Sequence, residues 1–221
     1  MTPSEIHNLC RKYNIKNYTI NDDMSISVNG NVNLTHRNIK YLPIKFKEVT
    51  GYFYCDNNQL TSLEHCPETV GGYFYCNNNQ LTSLRGCPET VGGDFNCYRN
   101  QLTSLKYCPK EVSGDFYCGD NQLTSLKYCP ETVDGGFNCS DNQITNFDGL
   151  PEFFERPISI YRNPVYEIYK LFKEDPRCIY WLREYDVIMD MTVVEYRLEE
   201  VYHTLGMDIP KDIILKEYIL V

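Results

Sequence analysis

Eleven cysteines and four histidines are the side chains here with the widest chemistry open to them. Thiolates and imidazoles ligate zinc, thiols pair as disulfides, and a thiolate can act as a nucleophile. Spacing decides among these. His7, His36, His65 and His203 share no metal-ligand spacing, and no two cysteines stand as Cys-x-x-Cys. Cys55, Cys76, Cys97, Cys118 and Cys139 recur every 21 residues. Cys66, Cys87, Cys108 and Cys129 keep that interval at a second phase, which Leu150 continues, and only Cys10 and Cys178 fall outside. Thiols tied to a repeat phase, one of them exchanged for leucine, read as small core residues. Stacked coils would set equivalent thiols about 4.8 Å apart, so a soft metal or a disulfide is geometrically conceivable. Buried, reduced thiols are the expectation, with no metal and no cofactor. No phosphate-binding glycine loop, serine nucleophile elbow or zinc-protease helix motif occurs. The glycine pairs in "VGGYF" and "VGGDF" recur with the repeat and read as corners. No catalytic residue is assigned, and the chain reads as a non-enzyme.

The interval extends to other residue types. Phe53, Phe74, Phe95, Phe116 and Phe137 share one phase, and Asn58, Asn79, Asn100, Asn121 and Asn142 another. Leu60, Leu81, Leu102 and Leu123 continue as Ile144, and Leu63, Leu84, Leu105 and Leu126 as Phe147. The phase runs back through Val28, Gly30, Val32, Leu34, Ile39, Leu42 and Pro43, with Arg37 in place of the asparagine, and forward to Phe154, Ile158, Ile160 and Asn163. Six coils from Val28 to Phe153 and one final strand are predicted. Each coil is too short to bury its own apolar face and must stack on its neighbours. Phe and Cys two apart point to one side of a strand, inward. The asparagine amide is expected to satisfy turn backbone and to bond to its equivalents along the stack. Gly51, Gly72, Gly93, Gly114 and Gly135 suit a tight corner.

The pattern Phe-x-Cys-x-x-Asn-x-Leu-x-x-Leu resembles the leucine-rich repeat family over residues 28–165, with Cys and Phe replacing leucines. Its length resembles the short bacterial type, and the near-identical "NQLTSL" copies resemble repeat proteins of phages and large DNA viruses. The resemblance implies a solenoid with one short parallel strand per coil, a concave strand face and a protein-binding role. Some bacterial leucine-rich-repeat effectors carry a ubiquitin-ligase domain with a Cys-x-Asp motif after the repeats. Cys118-Gly119-Asp120 and Cys139-Ser140-Asp141 match those letters but lie inside the repeats, where the cysteine faces the core. The match therefore carries no ligase assignment.

A solenoid must cover its terminal coils. Residues 1–27 read as an N-terminal cap: a helix begun by Thr2, Pro3 and Glu5, with Ile6, Leu9, Cys10 and Tyr13 on one face, then a hairpin around Asn21-Asp22-Asp23. The repeats occupy 28–164. Residues 165–221 read as an α-helical C-terminal cap or small domain. Helices are expected at Val165 to Lys173, at Arg177 to Ile188, along a stripe from Met191 to Leu205 ended by Gly206, and at Ile213 to Leu220. The alternative function is an effector or enzyme-like activity in this segment, with the repeats as its targeting module.

The formal charge of −9 argues against nucleic-acid phosphate as partner and for a protein with a basic or mixed surface. No apolar leader and no long apolar run appear, so no membrane partner and a reducing, cytoplasmic location are expected, the host cytoplasm if the source is viral. The positions left free by the repeat flank the core phenylalanines. They give Tyr52, Tyr73, Asp94 and Asp115 before them, and Tyr54, Tyr75, Asn96 and Tyr117 after them. Tyr98 joins them from the column just past the cysteines, which also holds Asp56. Tyrosine offers large area, few torsions and a polar tip, which suits an interface. Sugar stacking and plain strand propensity are the competing readings of the same tyrosines.

Overall fold

The computed structural model describes residues 1–151 and 158–221. The 21-residue interval is the pitch of a parallel solenoid. Phe53 sits in register with Phe74, Phe74 with Phe95, Phe95 with Phe116, and Phe116 with Phe137. This ladder runs from Val32–Asn33 through Phe137–Asn138 to Ile158–Ser159, all parallel. The five phenylalanines form an inner stack with ring centroids 5.3–5.8 Å apart. Cys55, Cys76, Cys97, Cys118 and Cys139 are buried beside them. Phe154 and the end of the sixth coil at Phe153 lie outside the described residues.

The expectation of one strand per coil is corrected to two. A second parallel ladder joins Phe46–Val49, Thr69–Val70, Thr90–Val91, Glu111–Val112 and Thr132–Val133. The chain bends between the ladders at the glycine-bearing corner. Its valines are buried, and the preceding Thr or Glu is exposed. The corner glycines are outside the left-handed region. Their role is close approach: a Cβ at Gly114 would lie 2.7 Å from the backbone carbon of Gly93, and one at Gly135 2.6 Å from that of Gly114. Left-handed residues stand elsewhere. Within the repeats they include Asn57, Asn78, Arg99, Asp120, Asp141 and Arg162 before the ladder asparagines, and His65, Gly86, Tyr107, Tyr128 and Gly149 on the opposite turn.

The asparagine amides satisfy the turn backbone as expected, but the expected bonds from one asparagine to the next do not form. Asn100 Nδ2 donates to the carbonyls of Cys97 and Tyr98 in its own coil and of Cys76 in the coil before, at 3.1–3.4 Å. Its Oδ1 accepts the Leu81 N–H at 3.0 Å. The set repeats at Asn79, Asn121, Asn142 and Asn163. Backbone groups outnumber amides at each turn and cannot reach water, so the amide serves them first. The second cysteine phase is likewise more than a leucine substitute. Cys87, Cys108 and Cys129 thiols donate to the carbonyls of Tyr107, Tyr128 and Gly149 in the following coil, at 2.7–2.9 Å. Leu150 takes the cysteine's place in the last coil, without a thiol to donate.

At the front, α1 (Pro3–Lys12) has the expected capping box. Thr2 N–H donates to Glu5, and Glu5 N–H to Thr2 Oγ1. Ile6, Cys10 and Tyr13 are buried. Tyr18–Ile20 and Ile26–Val28 form the hairpin, whose second strand joins the valine ladder in parallel. At the back, α2 (Tyr166–Leu171), α3 (Arg177–Glu184) and α4 (Glu195–Leu205) follow, with Gly206 left-handed at the α4 C-cap. An all-helical segment is corrected. Ile188–Met189, Thr192–Val193 and Ile219–Leu220 form a small sheet, so α3 stops short of Ile188 and Met191 precedes α4. Instead of the fourth helix expected at Ile213 to Leu220, this β-branched stretch ends as an edge strand against Thr192–Val193.

Asn100→Leu should lower stability by roughly 1–3 kcal/mol, because it strands the Leu81 N–H and two buried carbonyls. Thermal unfolding reads this directly, and an unchanged midpoint would remove Asn100 from the turn's hydrogen bonding.

Candidate functional site

On the phenylalanine ladder, the alternation that sends Phe inward sends its neighbours out. Four tyrosines on two adjacent coils meet there. Tyr52 and Tyr54 stack at 4.2 Å, Tyr54 and Tyr75 at 4.7 Å, and Tyr73 lies 6.0 Å from Tyr75. Each ring shelters the next, so Tyr52, Tyr54 and Tyr75 are half-buried and Tyr73, at 45%, is the most open of the four. The platform is continuous because parallel strands in register bring equivalent side chains within stacking distance.

The acidic side of the face is built into the same lattice. Tyr75 Oη donates to Asp94 Oδ2 at 3.1 Å, while Asp94 Oδ1 accepts the Asp115 N–H. Tyr117 Oη donates to Asp115 Oδ2 at 2.6 Å, and Asp115 Oδ1 accepts the Gly136 N–H. The carboxylates are thus aimed and held by coil-to-coil bonds. Burial, and then the Asp94 carboxylate, push the Tyr75 phenol well above its ordinary range, so it stays a neutral donor. Asn96 is half-buried beside the stack, where its Oδ1 accepts the Tyr98 N–H. Tyr98 lies next to Arg99, whose guanidinium is 5.8 Å from the ring and pairs with Asp120 at 2.9 Å. The structure therefore brings together Tyr52, Tyr54, Tyr73, Tyr75 and Asp94, with Asp115 and Tyr117 one step on.

Part of one outward column is corrected, while Asn77 and Tyr98 in it stay half-buried. Asp56 and Ser140, just past the inner cysteines, are buried. Asp56 accepts from Thr35 Oγ1 at 2.7 Å and from the Asn57 side chain. The chain turns at this point, so these side chains fold back over the turn.

The remaining concavities are shallower in chemistry. A groove of about 880 Å³ crosses the opposite turn between Phe46 and Lys110, floored by Cys66, Cys87, Pro67 and Pro88. Among the described residues no group of three or more His, Cys, Asp or Glu is placed to hold a metal ion, and no helix is long and apolar enough to cross a membrane. All eleven cysteines are unpaired. Burial raises the thiols of Cys76, Cys97, Cys118 and Cys139, and it pushes Cys108 up to about 12. No family model matches the chain, and no curated protein matches it.

Raised thiol values have a direction in pH. The folded state holds the thiols protonated, while an unfolded thiol ionises above about 8.5. Their contribution to stability is complete below that value and is lost as pH rises past it. In reducing buffer the unfolding midpoint should fall between about pH 8.5 and 10.5, and thiol reagents at pH 8 should label most cysteines only after unfolding. Rapid labelling of the native protein would contradict the burial of these side chains.

Proposed function

We propose that this chain is a non-enzymatic binding protein of the leucine-rich-repeat type, and that its tyrosine and aspartate face takes a cationic segment of another protein. The observation that carries this reading is the joined platform of Tyr52, Tyr54, Tyr73 and Tyr75 with Asp94 fixed at its edge. Stacked rings offer π-faces to a guanidinium or ammonium group, and a neighbouring carboxylate completes recognition of the charge. A pre-stacked platform loses little side-chain entropy on binding, which favours affinity. The formal charge of −9 favours the approach of such a partner. Reduced, buried thiols fit a reducing compartment such as the cytoplasm.

In the same reading residues 1–27 and 165–221 are caps. Val165 N–H donates to Ile144 O, Tyr218 Oη to Thr145 O and Arg183 to Leu150 O, three bonds that bind the rear segment to the last coils. Deletion of 165–221 should then produce aggregation or loss of cooperative unfolding, and a stable monomeric truncation would show the segment to be separable.

The face itself is tested by selection from a displayed peptide library. Lys- and Arg-rich sequences should be enriched, and a Tyr54, Tyr73, Tyr75 triple alanine variant should lose them. Aromatic anchors of this kind typically contribute on the order of 2 kcal/mol each. Tyr75→Ala should stay folded, whereas Phe74→Ala should lower stability by roughly 3–5 kcal/mol. Enriched peptides that lack cations, or that bind the triple variant unchanged, would refute the assignment.

A further inference from the structure

The opposite turn of the solenoid carries a short basic column among acidic neighbours. Arg85, Lys106 and Lys127 occupy one phase on three consecutive coils, all exposed, in a chain whose formal charge is −9. Among the described residues none of the three has a carboxylate within ion-pair distance. Glu64 and Asp148 hold the same phase on the flanking coils and bound the column at both ends.

Beside two of these cations stand Tyr107 and Tyr128, each 53% exposed. Lys106 Nζ lies 5.0 Å from the Tyr107 ring centroid, and Lys127 Nζ 5.3 Å from that of Tyr128. The backbone at this phase is left-handed in five successive coils: φ is 76° at His65, 89° at Gly86, 75° at Tyr107, 70° at Tyr128 and 86° at Gly149. Glycine is the unstrained residue there. A Cβ on Gly86 would lie 2.8 Å from the Leu63 carbonyl oxygen, and one on Gly149 2.5 Å from that of Leu126. Two coils use glycine, yet two place a tyrosine in the same conformation with its ring in solvent. Stability of the coil does not ask for that ring. The carbonyls of both tyrosines are fixed by the Cys87 and Cys108 thiols, so the pair is displayed on a rigid edge.

We propose that Arg85, Lys106, Tyr107, Lys127 and Tyr128 form a second interaction surface, which takes an acidic α-helical segment of a partner protein. The charge selects carboxylates, and the two rings offer apolar area between them. The spacing selects the helix. The backbone positions that carry the cations are about 4.8 Å apart on adjacent coils, and the outer two about 9.6 Å. A helix places side chains of one face at about 4.5–6 Å for i to i+3 or i+4 and about 10.5 Å for i to i+7. An extended strand places them at about 6.7 and 13 Å, out of step with the column. A polyphosphate chain meets the same cations but also the field of the whole acidic molecule.

The test uses the full chain and a fluorescent alanine-based peptide with glutamates at i, i+4 and i+7. A version broken by a central proline and a single-stranded oligo-dT serve as comparisons. The intact helix should bind best, with affinity falling as salt rises. Lys106→Glu with Lys127→Glu should weaken it by at least about tenfold, and the milder Lys106→Gln with Lys127→Gln should weaken it in the same direction. Tyr107→Gly with Tyr128→Gly should weaken binding while the unfolding midpoint holds or rises. Equal binding of the broken peptide, tighter binding of oligo-dT, or full binding by the folded glutamine variant would overturn the proposal. So would a tyrosine-to-glycine variant that loses stability and keeps its affinity.

Discussion

The strand-to-strand distance of a parallel sheet, about 4.8 Å, is the constraint from which the rest of this molecule follows. Once coils are stacked at that distance in unbroken register, each column of equivalent residues becomes a one-dimensional packing problem. Phenylalanine solves it inside by face-to-face stacking from Phe53 to Phe137. Glycine solves it at the corner, where the neighbouring coil leaves no room for a Cβ. Where a polar group must be buried, asparagine and cysteine reach the adjacent coil's backbone directly. The near-identity of the coils is thus a consequence of translational stacking. A side chain that fits between two copies of itself fits along the whole column.

The same constraint shapes the outer faces, with a different result. Outside the core a column is free to vary, and it does. One column runs Tyr52, Tyr73, Asp94, Asp115, and its neighbour Tyr54, Tyr75, Asn96, Tyr117. Stacking at strand distance makes a continuous platform of the early coils and leaves aimed carboxylates on the later ones. On the opposite turn the varied columns are basic and aromatic only in the middle coils, at Arg85, Lys106, Tyr107, Lys127 and Tyr128.

Much of this was legible in the sequence, because a repeat reports its own packing. The Phe, Cys, Asn and Leu phases named the core positions, and the letters left over named the tyrosine face. What was missed has physical reasons. The second strand is only two residues long and sits before a glycine pair. Its signal was the recurring Thr-Val at Thr69, Thr90 and Thr132, masked by the breakers beside it. Asparagine self-pairing was the wrong inference because each turn holds more unsatisfied backbone groups than amides. The thiol donors were invisible because leucine at position 150 suggested a purely apolar column, when it marks the column's end. Asp94 as the partner of Tyr75 could not be read from letters 19 residues apart. At Ile213–Leu220 apolar periodicity suited a helix, while β-branching and the open edge at Thr192–Val193 decided for a strand.

The asparagine bonds also give the stack a direction in time. Each asparagine completes the coil before it, donating to that coil's cysteine carbonyl and accepting from its leucine N–H. No coil can close its own turn; closure waits for the asparagine 19 residues further along. On a ribosome, the newest coil is therefore always one coil short of finished, and order advances behind the exit site by about one repeat. The two ends are unequal for the same reason. Losing coils from the front frees asparagine amides, whereas losing them from the rear leaves the last turn without the amide that closes it.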